Sequence, residues 1–271
     1  MKLEERPPPP PPRRKLRDRL PTPREAFDQF REMAFWRSVF RPGSVFRRGY
    51  KDTQRDRALA MMNNVMYHLH PVKIKRHGLK LTYTFCLGGL SFFLFVLLTV
   101  TGIYLMFFYR PAADIGSATA YTDMLNIRNG VIFGDLVRNI HRWGAHLMVL
   151  TVTLHMARVF YTGAYKPPRE FNWVVGVILL FLTLGLSFTG YLLPWDQLSI
   201  WAVTVGTNLA GYSPLIATQV KFVLLGGLEV GPNTLLRWYV LHVLALPFVL
   251  VLFLAVHFWR IRKDGGISGP L

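Results

Sequence analysis

The chain has 271 residues, is 51% hydrophobic and carries a formal net charge of +17. The two properties are segregated: residues 1–80 hold 20 of the 32 Lys+Arg and 8 of the 15 Asp+Glu, which leaves that stretch at net +12 and the other 191 residues at +5. A single cysteine excludes an intramolecular disulfide, and no nucleic-acid motif accompanies the basic charge, which a basic flank beside membrane spans accounts for.

Residues 1–24 open with six consecutive prolines at 7–12 and continue into a dense Arg/Lys cluster. Such a run favours an extended polyproline conformation and cannot pack a core, so a disordered tail is expected, with docking to a partner as the alternative. Residues 25–80 form a basic amphipathic segment carrying Phe27, Phe30, Met33, Phe35, Trp36, Val39 and Phe40. Positions 27, 30, 33 and 36 fall near one helical face, which suits a helix lying on a membrane surface or packing on a soluble domain of another subunit. His68, His70 and His77 precede the first apolar run and read as interfacial.

Residues 81–271 form the membrane domain. Four apolar runs, at about 81–109, 131–161, 173–193 and 235–259, each reach the ~20 residues that a bilayer core requires. Lys73, Lys75, Arg76 and Lys80 precede the first, Lys166 and Arg169 separate the second and third, and Arg260, Arg262 and Lys263 follow the fourth. The positive-inside rule then puts both termini on the cytoplasmic side. The connection at about 194–234 starts with Pro194-Trp195-Asp196-Gln197, which breaks the helix, and is too apolar for disorder. The fold expected is an all-α membrane protein, a four-transmembrane-helix dihaem bundle with a long basic N-terminal extension.

The haem expectation rests on histidines. His141 and His155 are 14 residues apart in the second run, and His242 and His257 are 15 apart in the fourth. Fourteen residues advance ~21 Å along an α-helix and return close to the same face. Two such helices side by side offer two His–His pairs at two depths, which suits two six-coordinate haems. His146 lies off that face and reads as a packing or hydrogen-bonding residue. Gly88 and Gly102 on the first run, and Gly176 and Gly190 on the third, repeat the spacing of 14. Glycines there let a flat ring approach the backbone; small-residue helix packing is the alternative. Arg138, Arg142, Arg158 and Arg262 stand within a turn or two of the histidines, placed to pair with haem propionates or, most readily for Arg262, to snorkel to the interface.

These features carry a resemblance. His141-Arg142-Trp143, the His–His spacings and Gly190-Tyr191-Leu192-Leu193-Pro194-Trp195-Asp196-Gln197 resemble cytochrome b of quinol–cytochrome c and quinol–plastocyanin oxidoreductases. The 15-residue spacing, Phe85-Cys86-Leu87-Gly88-Gly89 and the ending Ile267-Ser268-Gly269-Pro270-Leu271 resemble its cytochrome b6 branch. The likeness covers about residues 80–271. The longer leader and Gly265-Gly266, where one glycine is expected, depart from it.

The resemblance implies that His141 pairs with His242 and His155 with His257, toward the positive and negative sides of the membrane. It implies an enzyme subunit that carries electrons between two b haems during quinol oxidation, with Tyr191, Gln197, Trp201 and Ala202 lining the quinol site. The site's other wall, a Pro-Glu-Trp-Tyr motif, is absent from this chain, and the branch carries it on a separate three-helix subunit. The implied partners are that subunit, a Rieske iron–sulfur protein, a c-type cytochrome and membrane lipid, in a dimeric complex without nucleic acid, most naturally in a bacterial cytoplasmic membrane. Cys86 alone reads as a small buried hydrophobe, and no Cys-x-x-Cys-His motif is present. The resemblance instead implies a c-type haem attached there covalently. Two other classes compete: a dihaem membrane anchor of a hydrogenase or formate dehydrogenase, and a scaffold using its histidines structurally.

Overall fold

The structure, a computed structural model, describes residues 21–33, 53, 54, 56, 58, 76–113, 119–212, 214, 217–264 and 266–267. The chain divides into two compact units, residues 1–70 and 71–271. In the first, helix α1 spans Pro23–Glu32. Its start is written locally: Pro23 is pre-set for the first turn, the Thr22 hydroxyl accepts the Glu25 N–H at 3.3 Å, and the Glu25 carboxylate accepts the Thr22 N–H at 2.8 Å. Phe27 and Phe30 are exposed on it, and Met33 is exposed just past its end. The proline run, Phe35, Trp36, Val39, Phe40, His68, His70 and the ending at 268–271 lie outside the described residues.

Every described element of the second unit is helical. A 3-10 turn at Arg76–Leu79 leads into α2 (Leu81–Thr84) and α3 (Leu87–Met106); α4 (Thr119–Asn129), α5 (Gly134–Tyr161) and α6 (Glu170–Leu192) follow. Then come α7 (Gln197–Ala210), α8 (Ala217–Leu225) and α9 (Pro232–Val240), a π turn at Leu241–Ala245, and α10 (Leu246–Lys263). The last three elements run on as one 32-residue helix. Its π turn has a cause in the sequence: Pro247 has no N–H to return to the Val243 carbonyl, and the Leu246 N–H reaches back five residues to Leu241.

Three helices, Leu87–Met106, Glu170–Leu192 and Pro232–Lys263, have the length and apolar character to cross a membrane. Helix α5 is as long, at 28 residues, but interrupts its apolar surface with Arg138, His141, Arg142, His146, His155 and Arg158. It packs along α3 and α6, and α6 packs along α10. Between α3 and α5 the Ser91 and Thr151 hydroxyls meet at 3.2 Å, a small-residue seam of the kind that draws helices together where water is absent. Val175, Leu179 and Leu250 form the buried contact of α6 with α10. Outward, α3 shows Leu90, Phe92, Phe93, Val96, Val100 and Ile103 exposed. So continuous an apolar surface is stable against lipid and not against water.

The connections are pinned by polar contacts. Asp123, buried on α4, accepts the Arg110 backbone N–H at 3.0 Å and the Arg110 guanidinium at 2.9 and 2.7 Å. Those donors hold its carboxyl below the usual carboxylate range. The neighbouring Tyr109 hydroxyl donates to the Leu193 carbonyl at 2.6 Å, tying the end of α3 to the end of α6.

Candidate functional site

Helix α5 presents His141 and His155 on one face, against α3. Across from them stand His242, in the π turn, and His257, on α10. The His141 and His242 ring centres are 6.3 Å apart with planes at 75°; those of His155 and His257 are 6.5 Å apart at 76°. Such separations leave a gap between the two rings of each couple that a metal held by both would fit.

No group of three or more His, Cys, Asp or Glu converges among the described residues. Two-histidine sites are short of donors for a bare ion, and suit a metal whose other positions are already filled by a planar macrocycle. The glycines make room for one. A Cβ on Gly102 would stand 3.2 Å from His141 Cε1, one on Gly88 3.2 Å from His155 Cε1, and one on Gly190 only 2.6 Å from His242 Cε1. Gly176 departs from the pattern, facing the Met156 sulfur at 3.4 Å rather than a histidine ring. A cleft opens beside the His155–His257 pair, lined by Gly88, Ser91, Met148, Gly176 and Leu179 among others.

The arginines divide. Arg138, three residues before His141, and Arg158, three after His155, each bury a guanidinium Nε without a hydrogen-bond partner among the described residues. A buried, unanswered donor next to each histidine level fits the carboxylates on a haem edge. The Arg158 guanidinium also lies over the Tyr83 ring at 5.9 Å. Arg142 is exposed and Arg262 half-buried in the last turn of α10. His146 is exposed, edge-on to Trp143 at 5.6 Å, and His77 lies edge-on to Tyr83 at 4.7 Å.

At the other end of α6, Pro194 stops the helix and Trp195 takes a left-handed conformation with φ 51°. Asp196 then caps α7 by accepting the Ser199 N–H and hydroxyl, both at 2.8 Å. Tyr191, Gln197 and Trp201 are exposed along this turn and Ala202 is half-buried.

Cys86 is exposed rather than buried, which corrects the reading of a lone apolar-helix cysteine. Phe85 and Cys86 both adopt left-handed backbone, φ 47° and 51°, and break the first run between α2 and α3. Two residues absent from the sequence reading also touch the histidines: Thr101 Oγ1 lies 2.8 Å from His141 Nδ1, and Thr189 Oγ1 3.0 Å from His242 Nδ1. Their signal was available, since each stands one residue before a ladder glycine.

Known proteins resemble this chain. The chain is 48% identical over 187 residues to cytochrome b6 of Heliomicrobium gestii, covering 69% of this chain and 85% of that protein. It is 47% identical over 190 residues to the menaquinol:cytochrome c reductase cytochrome b subunit of Bacillus subtilis, covering 70% of this chain and 83% of that one. A solved chain described as a hyperthermophilic respiratory Complex III aligns with TM-score 0.65 and 30% identity over 81% of this chain; the present chain spans 55% of its length. Residues 73–265, which hold both histidine pairs, the glycine ladder and the Pro194–Gln197 turn, match the family described as Cytochrome b/b6/petB, and the chain belongs to that family.

Proposed function

We propose that this chain is the electron-transfer subunit of a quinol oxidoreductase of the quinol:cytochrome c or plastocyanin type, which couples quinol oxidation to proton translocation. The observation that carries this reading is the pair of facing histidine couples, each at metal-bridging separation, with glycine cradles beside three of the four rings. His141 with His242, and His155 with His257, hold two b haems; Arg138 and Arg158, with Arg142 and Arg262 at the margins, bind the propionates. Haem supplies reversible one-electron iron chemistry at each level. The protein's part is to hold the rings, exclude water with the apolar helices and keep the two levels ~21 Å apart along α5. Helix α5 crosses the membrane with the three apolar helices, its His141, His155, Arg138 and Arg158 turned to the haems. The basic flanks support cytoplasmic termini, most naturally in a bacterial cytoplasmic membrane.

Tyr191, Gln197, Trp201 and Ala202 line one wall of the quinol site. Their exposure supports a missing second wall, supplied by a three-helix partner subunit in a dimeric complex that also holds a Rieske protein and a c-type cytochrome. Native mass spectrometry of the solubilised complex is expected to find the three-helix subunit bound. A stable, quinol-oxidising preparation without it would sink this part of the reading.

Cys86 carries a third, covalently attached haem. The supports are the resemblance of residues 85–89, the exposed thiol at the left-handed break, and open space beside it, where a Cβ on Gly89 would meet nothing within 4 Å. Haem staining after denaturing electrophoresis is expected to mark this chain in the wild type and to vanish in Cys86→Ser. An unstained wild type, from a host that assembles the complex, would reject attachment.

A further inference from the structure

The four histidines are not held alike. Thr101 Oγ1 lies 2.8 Å from the Leu97 carbonyl and 3.2 Å from that of Leu98, and Thr189 Oγ1 lies 3.1 Å from the Leu186 carbonyl. Carbonyls only accept, so each hydroxyl proton is committed to its own helix. What each threonine turns to the ring is oxygen lone pairs, and the ring nitrogen facing it, Nδ1 of His141 or His242, donates. Proton on Nδ1 fixes the tautomer and leaves Nε2 with its lone pair free.

The other level lacks this support. Nδ1 of His155 and of His257 is buried without a hydrogen-bond partner among the described residues. The difference is written in the ladder itself. Thr101-Gly102 and Thr189-Gly190 occur at one level, and Leu87-Gly88 and Val175-Gly176 stand 14 residues earlier at the other.

We propose that Thr101 and Thr189 are positioning residues that set the electronics of the His141–His242 centre alone, holding its haem at a lower midpoint potential than the chain would otherwise give it. The proposal rests on the reading of the histidine couples as haem sites. A hydrogen bond from Nδ1–H makes the imidazole a stronger donor through Nε2, which favours the oxidised metal. At the His155–His257 level no side chain among the described residues does this.

The test is redox titration of the b-haem absorbance in the purified intact complex, with the electron paramagnetic resonance spectrum of the oxidised state. The midpoint missing from His141→Leu identifies the His141–His242 haem. Thr101→Val and Thr189→Val are expected to raise that midpoint and shift that haem's low-spin signal, the double variant most, while the second midpoint stays in place. Thr101→Ser and Thr189→Ser, which keep the oxygen, are expected to restore both readouts. Should valine crowd the ring and strip the haem, Thr101→Ala and Thr189→Ala leave space instead of bulk and carry the same expectation. The proposal fails if the midpoint does not move with haem retained, if both midpoints move together, or if serine behaves as valine. A wild-type complex without two b-haem midpoints would overturn the haem reading itself, a result distinct from two midpoints indifferent to threonine.

Discussion

Replacing His141 or His242 with leucine is expected to remove one and the same haem, and replacing His155 or His257 the other, each halving the b-haem content of the complex and abolishing quinol oxidation. The warrant is that the rings face each other in these two couples, 6.3 and 6.5 Å apart, while 14 residues of α5 separate the levels by ~21 Å. A haem that both rings of a couple would hold loses its support when either ring is removed, so both members of a couple give the same loss. Leucine keeps the bulk and adds no charge, so the helices retain their packing and the other level stays loaded. His146→Leu is the control: its ring is exposed and faces Trp143, and both haems are expected to remain. The readouts are pyridine haemochrome content, the number of redox midpoints, and circular dichroism to show that the chain is folded. Loss of both haems from every variant with helicity intact would reject independent levels. Loss pairing His141 with His257 would reject this coupling of the rings.

What the sequence made legible was whatever repeats at helical period. The apolar runs, the His ladder and the glycine ladder all declare themselves through spacing, and α3, α5, α6 and the helix at 232–263 lie on the four expected runs within a few residues, except at the start of the first. What spacing does not carry was missed. The first run splits at Phe85 and Cys86, because two consecutive left-handed residues without glycine leave no compositional mark. Helix α4 was not anticipated: its apolar residues are few and its place depends on Asp123 reaching back to Arg110. The π turn under His242 was missed although Pro247 announces it, since a proline inside an apolar run reads equally as a simple kink. Gly176 kept the ladder's register but faces Met156, so equal spacing did not guarantee an equal neighbour. The threonines escaped for the opposite reason. They sit in register, yet their role depends on which way a hydroxyl points.

Adding one methyl group at Gly190 is expected to cost more than adding it at any other ladder glycine, and the order follows from two opposed magnitudes. Glycine-to-alanine inside a helix gains up to about 1 kcal/mol in backbone propensity. Overpacking a filled site costs about 1–3 kcal/mol. At Gly89 the new Cβ would meet nothing within 4 Å, so only the gain applies and Gly89→Ala is expected to leave haem content unchanged. At Gly88 and Gly102 the contact is 3.2 Å to an imidazole carbon, and the two terms nearly cancel. At Gly190 it is 2.6 Å to Cε1, with Nε2 and Nδ1 of His242 at 3.1 and 3.2 Å, so the whole ring must move. It cannot swing freely. Thr189 holds its Nδ1 at 3.0 Å, His141 faces it, and the π turn beneath it is closed by the Leu246 N–H on the Leu241 carbonyl. Gly190→Ala is therefore expected to lower occupancy of the His141–His242 haem by about tenfold for each 1.4 kcal/mol of uncompensated crowding. Gly190→Val is expected to empty that site while leaving the His155–His257 haem bound. Haem-to-protein ratio and the count of redox midpoints decide it. Full occupancy of both sites in Gly190→Val would show that no flat ring lies against this backbone, and the cradle reading of the glycine ladder would fall with it.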